Sequence, residues 1–278
     1  MGQVVRVANV PAGLSRALAE RGARVVSGWR EGARSYVFAE SAEEQFFGRS
    51  SSDLADRRVL VHERAVRGLV QGTTSLAVPA VLASGDDWLL EEAVQERRWG
   101  EVGSLAAVVA AADEIASLRL PSLAAGRSQA RLRVARRRLR LVAHPGLLAD
   151  ARRARSVMSS LSLPLAPGHG DFHPGNVLVA GGRVSVVDWE LSGARPRGYD
   201  VLTFRASLTR ADQRDELFEA AVAGLGEACR PELARLGYAL LVRSIVNRLT
   251  HPQALSRDPE AARALLTLLP AERLSAGL

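Results

Sequence analysis

PLAPGHGDFHPGNVLVAGGRVSVVDWELSGARPRGYD, residues 164–200, is the stretch whose reading decides the fold. Its polar residues are few and regularly spaced: Asp171, then Asn176 five positions later, then Asp188 twelve positions after that. Between Asn176 and Asp188 lie an apolar run (Val177, Leu178, Val179), the pair Gly181-Gly182, and a second apolar run (Val184, Val186, Val187). Gly-Gly between two β-rich runs predicts a tight hairpin, because both turn residues must accept positive φ. A hairpin returns the chain on itself. Asn176, just before one strand, and Asp188, just after the other, are therefore expected close together. With Asp171 they offer three hard oxygen donors, which suit Mg²⁺ rather than zinc.

The segment His169-Gly170-Asp171-Phe172-His173-Pro174-Gly175-Asn176 resembles the catalytic loop of the aminoglycoside phosphotransferases and their choline-kinase-like relatives, which share the protein-kinase fold. Val187-Asp188-Trp189-Glu190 resembles the same family's metal-binding segment. The Asp-x-x-x-x-Asn spacing is that of the protein-kinase catalytic loop. The resemblance implies an ATP-dependent phosphotransferase acting on a hydroxyl of a small molecule, with GTP as an alternative donor. Asp171 would accept the hydroxyl proton, and Asn176 and Asp188 would hold Mg²⁺ against the phosphate oxygens. Glu190 is expected either to reach a second ion through water or to sit on the surface. His169 is expected to hydrogen-bond the loop, since Asp171 is the better base, and His173 stays open between the two roles. The alternative is a kinase-like nucleotide-binding or regulatory protein without turnover.

Composition sets the outer bounds. The chain has 278 residues, 47% of them apolar and 24% charged, which is the profile of an ordinary globular protein. One cysteine, Cys229, permits no internal disulfide and fits a reducing compartment. No long apolar run and no secretory pattern appear, so the expected location is the cytoplasm, with no membrane partner. The formal net charge is +7, and all 37 basic residues are arginines, because the chain has no lysine. The densest cluster, residues 127–140, places Leu132, Ala135, Leu139 and Val142 on one helical stripe, with arginines on the other faces. That pattern reads as a solvated helix on a core, which disfavours nucleic acid as a partner.

In chain order, residues 11–22 predict a helix with Leu14 and Leu18 inward, followed by β-rich runs over 23–28, 35–40 and 45–50. The segment 28–32, Gly-Trp-Arg-Glu-Gly, joins the first two and by the resemblance would cover the nucleotide phosphates. The third run carries Arg49 where the family presents a lysine to the α- and β-phosphates. Arginine keeps the charge and grips phosphate bidentately, though its geometry differs. Ser51-Ser52-Asp53 predicts a helix cap, and Val61, Ala65 and Leu69 an apolar stripe behind it. Glu63 falls where the family places the carboxylate that orients the basic residue, so Arg49–Glu63 is the expected ion pair. A hairpin is predicted over 80–83 and 88–90. Residues 89–94 resemble the hinge between lobes, where the backbone of Glu91 and Ala93 would meet the adenine.

From there the hydrophobic period becomes helical, apart from the decisive hairpin. Helices are predicted over 103–118, 127–143, 146–161, 201–208 (capped by Asp200), 211–228, 231–249 and 259–269. A strand-rich first third followed by helices fits an α+β, protein-kinase-like two-lobed fold, with a small β-rich N-lobe over 1–91 and a larger, mainly helical C-lobe over 92–278. The substrate class is a hydroxylated small molecule. After Asp200 the chain carries ten arginines against nine acids and no acidic cluster, which leans away from polycations and towards a neutral or anionic substrate. Phe204, Phe218, Tyr238 and Arg243 are candidates for the acceptor site, with core packing the competing role for the aromatics. Nothing in the sequence sets an oligomeric state.

Overall fold

The computed structural model describes residues 10–94, 97–98, 104–119, 145–180, 183–250 and 259–278. The arginine-rich segment 127–140, the helix expected over 127–143 and the Gly181-Gly182 pair lie outside these residues. The chain forms two compact units: Met1–Arg97 with Val179–Glu190, and Arg98–Leu178 with Leu191–Leu278. A single boundary after Glu91 was the expectation from sequence. The first unit instead runs to Arg97 and takes back Val179–Glu190.

The first unit opens with helix α1 (Ala12–Ala19), then strands β1 (Arg24–Glu31), β2 (Arg34–Glu40) and β3 (Gln45–Ser51), helix α2 (Leu54–Thr73), and strands β4 (Val81–Ser84), β5 (Trp88–Glu92) and β6 (Arg97–Arg98). Five of these strands make an antiparallel sheet in the order β1-β2-β3-β5-β4. Alternation along the strands sends Val37, Ala39, Phe46 and Leu90 to one face, where they bury Leu14, Ala17 and Leu18 of α1. Gly48 makes this contact close: a Cβ there would sit 2.6 Å from Val37 Cγ2 and 3.2 Å from Leu14. The segment expected as a loop over 28–32 is instead strand as far as Glu31, with Gly32 at φ +61 in the turn. Trp29 stacks on Tyr36 across the pair, ring centroids 4.9 Å apart, and so extends the ladder to Glu31 and Arg34.

Helix α2 is capped as its sequence predicts, with Asp53 accepting from Ala55 N at 2.7 Å and Asp56 N at 3.1 Å. Its buried face is not the expected one. Val61 and Ala65 are exposed, and the inward residues are Glu63, Val66, Arg67 and Val70. Two charged side chains on an inward stripe defeat a reading that assumes apolar residues inside. The returning segment contains the end of β8 (Val177–Ala180) and β9 (Arg183–Val186). It joins this unit through Ala77, which donates to Val184 O at 2.9 Å and accepts from Val186 N at 3.0 Å.

The second unit contains helices α3 (Leu105–Ala116) and α4 (Pro145–Ser160), and the strand pair β7 (Leu165–Gly168) and β10 (Gly193–Pro196). Helices α5 (Tyr199–Arg205), α6 (Ala211–Leu225), α7 (Arg230–Thr250) and α8 (Pro259–Ser275) follow. The long helix α7 is the centre: Leu233, Leu236, Leu241, Val242 and Ile245 are all fully buried, and α4, α5 and α8 pack around it. Tyr238 donates to Asp150 Oδ1 at 2.7 Å, and Arg273 reaches the same oxygen at 2.7 Å, which ties α4, α7 and α8 together. Burial and Asp150 push the Tyr238 phenol up to about 12. Phe204 is fully buried, and Phe218 is half-buried beneath the guanidiniums of Arg205 and Arg230. Core packing accounts for Phe204 and Tyr238, and contact with the two guanidiniums for Phe218.

Two substitutions rank the forces in the first unit. Leu90→Ala, in the fully buried core, is expected to cost about 3 kcal/mol. Asp53→Ala, which removes the cap of α2, is expected to cost about 1 kcal/mol. Urea unfolding curves with unchanged slope measure both.

Candidate active site

In the second unit, the segment expected as a catalytic loop leaves β7 at Gly168 and is held by side chains from two helices. Its backbone N–H groups have no ladder to join, so they need other acceptors. Asp200, in the first turn of α5, supplies them: Oδ2 accepts from His169 N at 2.7 Å and Oδ1 from Gly170 N at 3.0 Å. Asp200 was expected to cap a helix at 201. The helix begins at Tyr199 behind a left-handed Gly198, and the aspartate serves the loop instead. Burial pushes its carboxyl above the ordinary value, against His169 and the two backbone donors. Gly170 takes φ +82 and packs against Leu191 O, a position where a Cβ would collide.

Asp171 lies next to Arg243 of α7, whose Nη2 is 3.2 Å from Oδ1. Arg243 is buried and also donates to Gly170 O at 3.4 Å and to the Tyr199 hydroxyl. Burial works against its charge, but Tyr199, Asp171 and Asp200 outweigh that, and its pKa is raised. Asn176 donates from Nδ2 to Asp171 O at 3.0 Å. That bond fixes the amide and leaves Oδ1 as its accepting end, the kind of oxygen a hard cation takes. His169 is fully buried, and its Nδ1 accepts from Asp171 N at 3.3 Å, a structural role. His173 Nδ1 accepts from Gly175 N at 3.0 Å, and its Nε2 lies 3.7 Å from Asp171 Oδ2. Burial lowers the His173 pKa, with Asp171 opposing.

In the first unit, Arg49 and Glu63 meet at 2.5 Å. The same guanidinium is 3.5 Å from Glu91 and 3.7 Å from Asp188. Desolvation would lower the Arg49 pKa; Glu63 and then Glu91 reverse this and raise it. Burial would likewise raise the Glu63 pKa, and Arg49 holds it below the ordinary carboxylate value. Arg67, one turn after Glu63, is bonded to Glu91 and lies 4.0 Å from Glu63. Asp188 has φ +64, the one non-glycine residue in the left-handed region among the described residues. Aspartate tolerates that conformation at a cost of about 1 kcal/mol.

Two expectations change here. Strand β5 continues through Glu91 to Glu92, and Ala93 N–H is committed to Gln45 O at 2.9 Å, so Ala93 has no donor to offer an adenine. The Glu91 side chain belongs to the buried charge cluster, which is why the strand extends this far. Glu190 is not a surface residue: it is buried and pairs with Arg34 at 2.6 Å. Sequence reading missed Arg67, Tyr199 and the role of Arg243. Only Arg67 had a local signal, the Glu63-x-x-x-Arg67 spacing of a helical ion pair. The face of the sheet that carries Arg49 also carries Trp29, Tyr36, Phe38 and Phe47, with neighbouring centroids 4.9 to 6.2 Å apart. Trp29 and Phe38 are about 40% exposed.

With this geometry in hand, comparison with known proteins is decisive. The model of the phosphotransferase enzyme family matches residues 40–237, most of the chain. The chain belongs to that family. It is therefore a small-molecule phosphotransferase by descent, with the protein-kinase-like fold the solved structures share. A thermostable mutant of aminoglycoside phosphotransferase APH(4)-Ia superposes with TM-score 0.64 at 18% identity, covering 95% of this chain and 99% of that one. Ethanolamine kinase from Plasmodium vivax gives 0.60 at 11% identity, covering 90% and 82%. The streptomycin–ATP complex of APH(2″)-IIa gives 0.59 at 12% identity, covering 88% and 92%. No curated protein sequence matches the chain significantly.

The Glu63 pair has a pH signature. A carboxylate whose folded pKa is below its ordinary value of 4.5 contributes stability that is complete above that value. The contribution is lost as pH falls through the folded pKa. Urea midpoints between pH 6 and pH 3 should therefore fall less steeply for Glu63→Gln than for the wild type.

Proposed function

We propose that this phosphotransferase transfers the γ-phosphate of ATP to a hydroxyl group of a neutral or anionic small molecule, with Asp171 as the base. The observation that carries this reading is the arrangement at Asp171. Its carboxylate is held by a buried guanidinium at 3.2 Å, on a loop where the Asn176 amide donates back to Asp171 O at 3.0 Å. In the reaction the substrate hydroxyl oxygen attacks the γ-phosphorus, the bond to the β,γ-bridging oxygen breaks, and ADP leaves with the electron pair. The hydroxyl proton passes to Asp171. Phosphoryl transfer needs positioning and charge neutralisation rather than covalent help, which suits a site made of fixed arginines and carboxylates.

Mg²⁺ fits the donor set: one carboxylate, Asp188, and one amide oxygen, Asn176, are hard ligands that leave the remaining positions to phosphate and water. When bound, the ion would neutralise charge on the phosphate oxygens. Arg49 would grip the α- and β-phosphates, and the base would stack on the Phe47 and Phe38 face, two residues along the strand from Arg49. Among the described residues no helix is long and apolar enough to cross a membrane, and we place the enzyme in the cytoplasm with its single cysteine reduced.

Three measurements test the reading. ATP titrated by calorimetry should bind more tightly with Mg²⁺ than without. ADP release, followed across sugars, amino alcohols and aminoglycosides, should find an acceptor. With that acceptor, Asp171→Ala should lower kcat at least about a hundredfold at unchanged melting temperature. A near wild-type rate in that variant would remove Asp171 from the chemistry. Arg243→Met should lower kcat about tenfold or more while leaving KM for ATP unchanged.

A further inference from the structure

Arg49 faces two buried carboxylates, whose charge opposes the binding of phosphate at its guanidinium. A guanidinium bonded to Glu63 at 2.5 Å, with Glu91 at 3.5 Å, is more than neutralised if it stands alone. It would then repel phosphate. The structure answers this with a second arginine. Arg67 is 2% exposed, bonds Glu91 Oε2 through Nη1, and is anchored to the backbone by donating from Nη2 to Pro79 O. It is too deeply buried to meet a ligand itself. Two buried guanidiniums thus face two buried carboxylates, and this buried set is neutral; Asp188, 3.7 Å from Arg49 and 40% exposed, adds a third carboxylate on the open side. Without Arg67 the buried set would carry one net negative charge directly behind Arg49.

We propose that Arg67 is a positioning residue for phosphate binding: by neutralising Glu91 it frees the Arg49 guanidinium to meet a polyphosphate. The inference rests on the reading of Arg49 as the phosphate group of the site. The geometry also accounts for arginine at position 49. A planar guanidinium with five donors can stay bonded to Glu63 and still turn an edge outward, which a single ammonium point charge does less well. The Nε atoms of both Arg49 and Arg67 are buried without a hydrogen-bond partner among the described residues, so the cluster holds these side chains by charge at their Nη ends.

The test is calorimetric titration of inorganic tripolyphosphate and of ATP into the full-length wild type, Arg67→Met, Glu91→Gln and the double variant. Arg67→Met should weaken both probes by about tenfold or more. Glu91→Gln, which removes one negative charge from behind Arg49 and leaves the buried set net positive, should tighten both. The double variant, neutral again, should return close to wild type. A merely structural Arg67 would give neither the tightening nor the recovery. Should Arg67→Met fail to fold, the Glu91→Gln variant still decides, because unchanged or weaker tripolyphosphate binding there overturns the proposal. Wild-type binding with all variants alike overturns the role of Arg67 alone. A wild type that binds neither probe overturns the reading of the phosphate site, and this inference with it.

Discussion

Charge buried in a low-dielectric interior has to be met by opposite charge, and this constraint organises the first unit. Arg49, Glu63, Arg67 and Glu91 are each less than 10% exposed. Any one left unpaired would cost several kcal/mol, about 3–5 for breaking a buried pair. The requirement turns α2 so that Glu63 and Arg67 point inward with Val66 and Val70. It also draws β5 out to Glu92, since Glu91 must reach its arginines. Asp188 arrives from far along the chain and adds a third carboxylate beside Arg49. The apolar face of the sheet, with α1 across it, supplies the hydrophobic stabilisation; the opposite face carries the paired charges and the aromatic row.

In the second unit the same logic works on backbone groups. A loop that must keep a carboxylate in place cannot rely on a strand ladder, so its N–H groups are satisfied by a side chain. Asp200 does this for His169 and Gly170, and Arg243 reaches in from α7 to Gly170 O and Asp171. Both anchors stand on helices packed in a dense core, so the loop inherits their rigidity. Preorganisation of this kind is what electrostatic catalysis of phosphoryl transfer requires.

Structural neighbours at 11–18% identity retain this fold. Sequence can drift this far while volume and pattern are kept. Position 49 carries an arginine, which meets Glu63 and Glu91, while a second guanidinium, Arg67, also meets Glu91.

The sequence by itself determined the class of the protein. The loop residues, the Asp-x-x-x-x-Asn spacing and the change from β to helical period were local signals, and they identified the phosphotransferase family and the α+β fold. The Arg49–Glu63 pair was also legible, through the resemblance to the family, which sets a helix carboxylate against the basic residue of the strand. Local patterns assume that apolar residues go inside, so they chose the wrong face of α2 and missed Arg67. They ended β5 early, since a buried glutamate reads as a strand terminus until its counter-charge is known. They read Gly28 to Gly32 as a loop where cross-strand stacking of Trp29 on Tyr36 keeps the strand going. Arg243 lies 72 residues from Asp171 and left no periodic trace. Which charges meet across such separations is decided only by tertiary packing, because a desolvated charge is stable wherever its partner is placed, and sequence spacing does not record that place.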